Sequence, residues 1–167
     1  MKRWLSIFAL FACLFVSFAH AEPVFSSQTL YQELHPFFPR AQIRFFDKAY
    51  ESLSSKVFLG EFLPEYAKYL QEKGMKGIDA GFSEKHYAQL CKSQLQIWLV
   101  QREHRSIETE TAVLVTDPQA KASRPNLPTG WMLLRMDGRW AVFDAARFVV
   151  IPLEQFEEKN SILAVQF

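Results

Sequence analysis

An α+β fold, a helical front half packed on a curved antiparallel sheet, is predicted by three features of the sequence. Apolar residues recur at helical spacing up to about residue 104, and the period then falls from about 3.6 to about 2. Two strand-like runs next flank Asp137-Gly138, a dipeptide that favours a two-residue type I′ hairpin.

Residues 1–21 read as a secretory signal peptide. Lys2 and Arg3 precede an apolar run from Trp4 to Phe18, and Ala19-His20-Ala21 makes a small-x-small cleavage site. Cleavage near Ala21 leaves residues 22–167 as a single domain starting at Glu22, periplasmic or secreted. The run is shorter than the ~20 residues of a spanning helix and Pro23 follows it, so no stable membrane anchor is expected. Beyond the signal only Cys91 remains, which rules out an internal disulfide and leaves the core to hold the fold. A domain of this size buries roughly two-thirds of the surface its unfolded chain exposes. With 19 Lys and Arg against 18 Asp and Glu the chain is near neutral, and neither sign is gathered into a block, so a nucleic-acid partner is not expected.

Ser26 or Ser27 caps a short helix carrying Leu30, Tyr31 and Leu34, which His35-Pro36 stops because a residue before proline is pushed out of the α region. Pro36-Phe37-Phe38-Pro39 is a rigid apolar connector. From Arg40, the spacing of Ile43, Phe46, Ala49, Tyr50, Leu53 and Val57 predicts an amphipathic helix with Arg44, Asp47, Lys48 and Glu51 on its other side. Gly60 marks a break. The next helix accepts Pro64 near its start, carries Phe62, Tyr66, Tyr69 and Leu70, and ends at Lys73-Gly74. Gly74, Gly77 and Gly81 make the loosest stretch. A third helix follows, with Ser83 as N-cap, a Phe82–Tyr87 staple and a stripe of Tyr87, Leu90, Cys91, Leu95 and Trp98, ending near His104.

Ile107, Thr109, Thr111, Val113 and Val115 alternate with Glu108, Glu110, Ala112 and Leu114, a strand with one wetter face, and residues 117–128 read as a surface loop. In the hairpin, a two-residue turn sets Met136 opposite Arg139, Leu134 opposite Ala141 and Met132 opposite Phe143. The other face carries Trp131, Leu133, Arg135, Trp140, Val142 and Asp144. Both faces are largely apolar, so each needs a cover: more helix and chain tail, a partner, or a ligand.

Compact reactive constellations are lacking. Cys91 sits on an apolar stripe, where a cysteine behaves as a small core residue. The histidines His35, His86 and His104 form no metal-binding pattern, and no glycine-rich phosphate loop or cofactor motif occurs. Glu108 and Glu110 share a strand face and read as solvated. Asp144, on an apolar face, needs a partner, and Arg135 is the nearest cation; Arg135 against Trp140 is a cross-strand cation–π pair.

The run Trp131-Met-Leu-Leu-Arg135-Met-Asp-Gly-Arg-Trp140-Ala-Val-Phe-Asp144 resembles the end of the periplasmic phospholipid-binding MlaC (toluene-tolerance) family, in which a similar strand, a Gly-Lys/Arg-Trp turn and an aromatic-Asp pair occur. The resemblance implies an NTF2/cystatin-like α+β fold with an apolar pocket for lipid acyl chains. The chain departs from that pattern in being shorter and in carrying Ala145-Ala146-Arg147-Phe148 where a glycine-containing segment is expected.

Three functional readings follow. The first is an exported binding protein for an apolar small molecule or lipid, its ligand held between the sheet and helices by Tyr66, Tyr69, Tyr87 and Trp98, with Met132, Leu134 and Phe143, or Trp131 and Leu133, from the hairpin. The second is an accessory or interaction module of an envelope protein complex without a ligand. The third is an isomerase-type enzyme, which needs Asp144 and a helix tyrosine to converge in a pocket.

Overall fold

The computed structural model describes residues 24–75, 82–103 and 108–167. Residues 1–21, expected to be an export signal, and Gly77, Gly81, His104 and Ile107 lie outside the described residues. The first strand, β1 (Val24–Ser26), leads into helix α1 (Ser27–Leu34), whose cap is Ser26: its side chain accepts from the Thr29 N–H at 3.1 Å. Leu30 and Leu34 are buried and His35 ends the helix, as its sequence predicts.

The stretch after Pro39 corrects the sequence reading. Instead of one amphipathic helix it forms two short strands, β2 (Gln42–Arg44) and β3 (Ala49–Glu51), and then an extended run to Leu53. Ile43 is paired with Val165 near the C-terminus, and the Tyr50 ring packs on Phe45 and Phe167 at centroid distances of 5.9 and 5.3 Å. Phe46, which a helix would turn inward, is 75% exposed. Pairing with distant strands overrides the local period here.

Gly60 does not break the chain either. It lies inside a π-helical segment, Lys56–Phe62, that continues directly into helix α2 (Leu63–Glu72). A Cβ at Gly60 would meet nothing within 4 Å, while Phe58 and Phe62 on either side are buried; their packing holds the coil together. Pro64 sits in the first turn of α2, and Gly74 follows its end in the left-handed region at φ +67°. Helix α3 (Glu84–Glu103) comes next; Phe82, just before it, meets the ring of Tyr87 in its first turn edge-on at 4.7 Å. Among the described residues no helix is long and apolar enough to cross a membrane.

The second half supplies β4 (Thr111–Thr116), a short helix α4 (Pro118–Ser123) within the expected loop, β5 (Gly130–Met136), β6 (Arg139–Asp144), β7 (Val149–Pro152) and β8 (Ile162–Gln166). Asp117 caps α4 by accepting from the Gln119 N–H at 2.8 Å. β1 and β3 pair by themselves, and the other six strands form a mostly antiparallel curved sheet in the order β2-β8-β4-β5-β6-β7. Only the β2–β8 pairing is parallel among them. The fold is thus α+β. The β5–β6 register is the one the turn dictates, from Met136–Arg139 to Met132–Phe143, with Asp137 at φ 49° and Gly138 at φ 77° as a type I′ turn requires.

Both hairpin faces are covered by the chain itself. One core takes Trp131, Leu133, Trp140 and Val142 under α1, Phe38, Phe156 and Phe167; the other takes Met132, Leu134 and Phe143 under α2 and α3. For this reason β4 has no wetter face: five of its six residues are buried.

Candidate functional site

The site begins on the α3 side of the sheet. The 3.6-residue period of α3 puts Tyr87, Cys91, Leu95 and Trp98 on one buried stripe, and the segment from Phe58 to Leu70 lies against it. Six of the nine candidate residues, Tyr66, Tyr87, Trp98, Met132, Leu134 and Phe143, are brought into this one core. Tyr69 stands at its outer edge, partly buried. Trp131 and Leu133 belong to the opposite core, so the structure separates the two alternatives for the hairpin face.

Rings occupy the space between helices and sheet. Phe58 meets Phe143 edge-on at 5.4 Å, Phe62 stacks on Phe58 and Tyr66 at 5.7 and 5.6 Å, and Met132, Leu134 and Phe143 have no exposed surface. The depressions around this core open outward. One of about 190 Å³ lies between α2 and α3, lined by Phe62, Glu65, Tyr66, Tyr69 and Trp98 among others. A second, of about 320 Å³, lies at the far side of α2 between Leu70, Met75, Tyr87 and Phe148. A third, of about 780 Å³, is at the turn end of the hairpin, where Met136, Ala141, Val150 and Pro152 form an apolar floor and Ser55, Asp137, Arg139 and Glu154 a polar rim.

Polar groups near these depressions are held by partners. Trp98 Nε1–H donates to Glu65 Oε2 at 3.0 Å, and the Arg102 guanidinium, 5.5 Å over the Trp98 ring, donates to Glu65 Oε1 at 2.6 Å. Asp137 accepts from the Ser55 N–H at 3.2 Å and so ties the hairpin tip to the start of the π-helical segment. Phe148, beside the second depression, has φ 58°, a strained conformation for a bulky residue. Its ring lies 5.9 Å from both Tyr66 and Phe143, contacts that offset this strain.

The pairing expected for Asp144 is replaced. Asp144 bonds Arg147 at 2.6 Å and accepts from the Ala146 and Arg147 amides, closing the turn into β7. Arg135 instead serves two other carboxylates, Glu110 at 3.0 Å and Glu33 at 3.3 Å, and sits 4.2 Å over Phe25 and 5.9 Å over Trp140. Glu110, read from sequence as solvated, is fully buried beside it. The Arg135–Trp140 contact is the one expected. Arg147 also reaches Glu84, which accepts from the Thr129 hydroxyl at 3.1 Å. Burial works to raise the Glu84 carboxyl, but its own amide, the Thr129 amide and hydroxyl, and Arg147 together hold it below its ordinary range.

For the isomerase reading, Asp144 is held by three hydrogen bonds from Ala146 and Arg147, and the Tyr66 hydroxyl, pushed up chiefly by burial, donates to the Tyr87 carbonyl at 3.4 Å. The two groups are committed to separate partners. Cys91 is fully buried, and burial pushes its thiol up, away from the nucleophilic thiolate. His86 Nδ1 accepts from the Ser83 N–H at 3.0 Å at the start of α3. Among the described residues no group of His, Cys, Asp and Glu is placed to hold a metal ion.

Sequence reasoning found the aromatic residues but missed the groups that border them: Glu65 and Arg102, and the floor and rim of the hairpin-end depression. The signal for the first pair was an acid and a base on the exposed sides of two helices sharing an aromatic stripe. Compared with family models, curated proteins and solved structures, the chain matches none.

Proposed function

We propose that the chain is an exported, non-catalytic interaction module of NTF2/cystatin-like design, periplasmic or secreted after cleavage near Ala21, that docks to a protein of the cell envelope. One observation carries this reading: both sheet faces are filled by the chain's own side chains, while a depression of about 780 Å³ lies outside, at the turn end of the hairpin. There Arg139 and Val150 are exposed, and Phe148 and Val149 extend the apolar surface along edge strand β7. A carrier of whole acyl chains needs an interior that this packing occupies. The isomerase reading loses its convergent pair of groups.

The test is native mass spectrometry of the protein from the exported fraction, with photo-crosslinking residues at Arg139 or Val150 and, as a control, at Gln119 on α4. A clean apo mass and one envelope protein crosslinked from the hairpin end but not from Gln119 support docking. No envelope protein crosslinked from the hairpin end, or equal crosslinking from both sides, refutes it. The second reading, an apolar-ligand carrier, is favoured by the apolar depression at Leu70, Met75, Tyr87 and Phe148, which is of a size for a short chain. Co-purified lipid that is lost in Leu70→Asp, in a variant that still folds, would establish it. N-terminal sequencing that begins at Glu22 supports export, and an intact Met1 in the exported fraction refutes cleavage.

A further inference from the structure

The recess between α2 and α3 has a chemistry of its own, independent of any protein docked at the hairpin end. Phe62, Tyr66 and Tyr69 recur along one side of the helical segment, and their rings form a ladder: 5.6 Å and 17° between the first two, 6.4 Å and 16° between the second two. Trp98 of α3 closes it, edge-on to Phe62 at 6.1 Å and 71°. At the mouth stands the carboxylate of Glu65, its side chain about half exposed (47%), oriented by the Trp98 indole N–H and by Arg102.

Ring faces carry negative electrostatic potential, and so does the carboxylate. The recess therefore favours a cation, and the chain already places two on its rings: Arg102 lies 5.5 Å over Trp98, and Lys73 lies 5.8 Å over Tyr69. Its volume of about 190 Å³ falls below the ~300 Å³ at which pockets accept drug-sized ligands, so it suits one small group and not an acyl chain. Among cations, a compact ammonium is strongly hydrated and pays heavily to enter an aromatic recess. A methylated one presents apolar surface to the rings while keeping its charge for Glu65.

We infer that this recess binds a quaternary ammonium group of the choline type, with Trp98 and Tyr69 as its aromatic walls, Glu65 as its counter-ion and Arg102 as the resident cation it displaces. The group can come as a free solute or as a lipid headgroup, which share this chemistry.

The test uses the full exported chain and follows the Trp98 indole N–H resonance while choline chloride is exchanged for sodium chloride at constant ionic strength. A saturating shift is expected, and none with dimethylbutanol, the neutral isostere of choline. Glu65→Gln weakens binding about tenfold, and Arg102→Gln tightens it by several-fold, because it frees both the carboxylate and the Trp98 face. Both changes are at the surface, and circular dichroism checks that they leave the fold intact. Flotation with phosphatidylcholine but not phosphatidylglycerol vesicles assigns a lipid source; choline binding without flotation assigns a free solute. The inference is overturned if choline fails to saturate both the native chain and Arg102→Gln, if dimethylbutanol binds equally well, or if Arg102→Gln weakens binding.

Discussion

Replacing Arg135 by Met removes the one guanidinium that serves both Glu110 and Glu33. Glu110 has no exposed surface and the Arg135 side chain only 11%, so the charge left behind is not rehydrated in place. Breaking a buried pair in this way costs about 3–5 kcal/mol, against a total stability of about 5–15 kcal/mol for a domain. Glu110→Gln is expected to cost less, about 1–3 kcal/mol, because Arg135 keeps Glu33 at 3.3 Å and the ring faces of Phe25 and Trp140. Combining Arg135→Met with Glu110→Leu takes both charges out of the core and recovers most of the loss, so the cycle closed by the Glu110→Leu single shows a coupling of at least about 2 kcal/mol. Urea unfolding followed by tryptophan fluorescence reads these values. At a slope of about 2 kcal/mol/M, Arg135→Met lowers the midpoint by roughly 2 M. The reasoning is refuted if Arg135→Met costs under about 1 kcal/mol, if Glu110→Gln is the more damaging change, or if the double variant loses the sum of the Arg135→Met and Glu110→Leu singles.

Three further outcomes follow from the packing. Gly130→Ala sets a Cβ 2.6 Å from the Leu114 carbonyl oxygen, a backbone atom that cannot swing away, so it costs about 2 kcal/mol and lowers the melting temperature by roughly 6 °C; an unchanged melting curve would sink this. Glu84→Gln costs about 1–2 kcal/mol at pH 7. Because the folded Glu84 carboxyl is held below its ordinary range, its contribution is complete above the unfolded value and lost as pH falls through the folded one. The gap between variant and native chain therefore narrows below about pH 4.3, and a gap in urea midpoints that widens there contradicts the assignment. Cys91, buried with its thiol pushed up, reacts with a thiol reagent at least roughly 10³-fold slower in the native chain than in urea, and prompt stoichiometric labelling of the native chain would show that α3 is not packed as described.

The fold was legible in sequence wherever its cause is local. Asp137-Gly138 dictated a register that holds at every pair from Met136–Arg139 to Met132–Phe143, and the stripe from Tyr87 to Trp98 faces the core as its period requires. Residues 40–57 were misread because their determinants are remote. Ile43 is a strand residue only in the presence of Val165, and Tyr50 is a core residue only in the presence of Phe167. Three-residue strands separated by bends produce apolar spacings that mimic a helix, and no local signal tells them apart. The cover of the second sheet face is more helix and chain tail, as expected, but that α1 and the C-terminal segment supply it together is a remote arrangement no local pattern records.

The polar constellations illustrate the same limit from the side of function. A lone arginine in an apolar strand announces a buried carboxylate, and Arg135 does have one, but the choice between Asp144 and Glu110 depends on which strand lies beside β5. Strand β4 sets Thr111 opposite Leu134, which brings Glu110 next to Arg135, while the turn after β6 gives Asp144 its own arginine three residues on. The recess repeats the lesson. Phe62, Tyr66, Tyr69 and Trp98 declare burial by their spacing, yet burial alone does not separate a packed core from a cation site. The difference lies in Glu65 and Arg102, 37 residues apart, which meet only because α2 and α3 pack side by side. A carboxylate at the mouth of an aromatic recess turns apolar surface into a site selective for charge, and that is a property of helix packing no periodicity records.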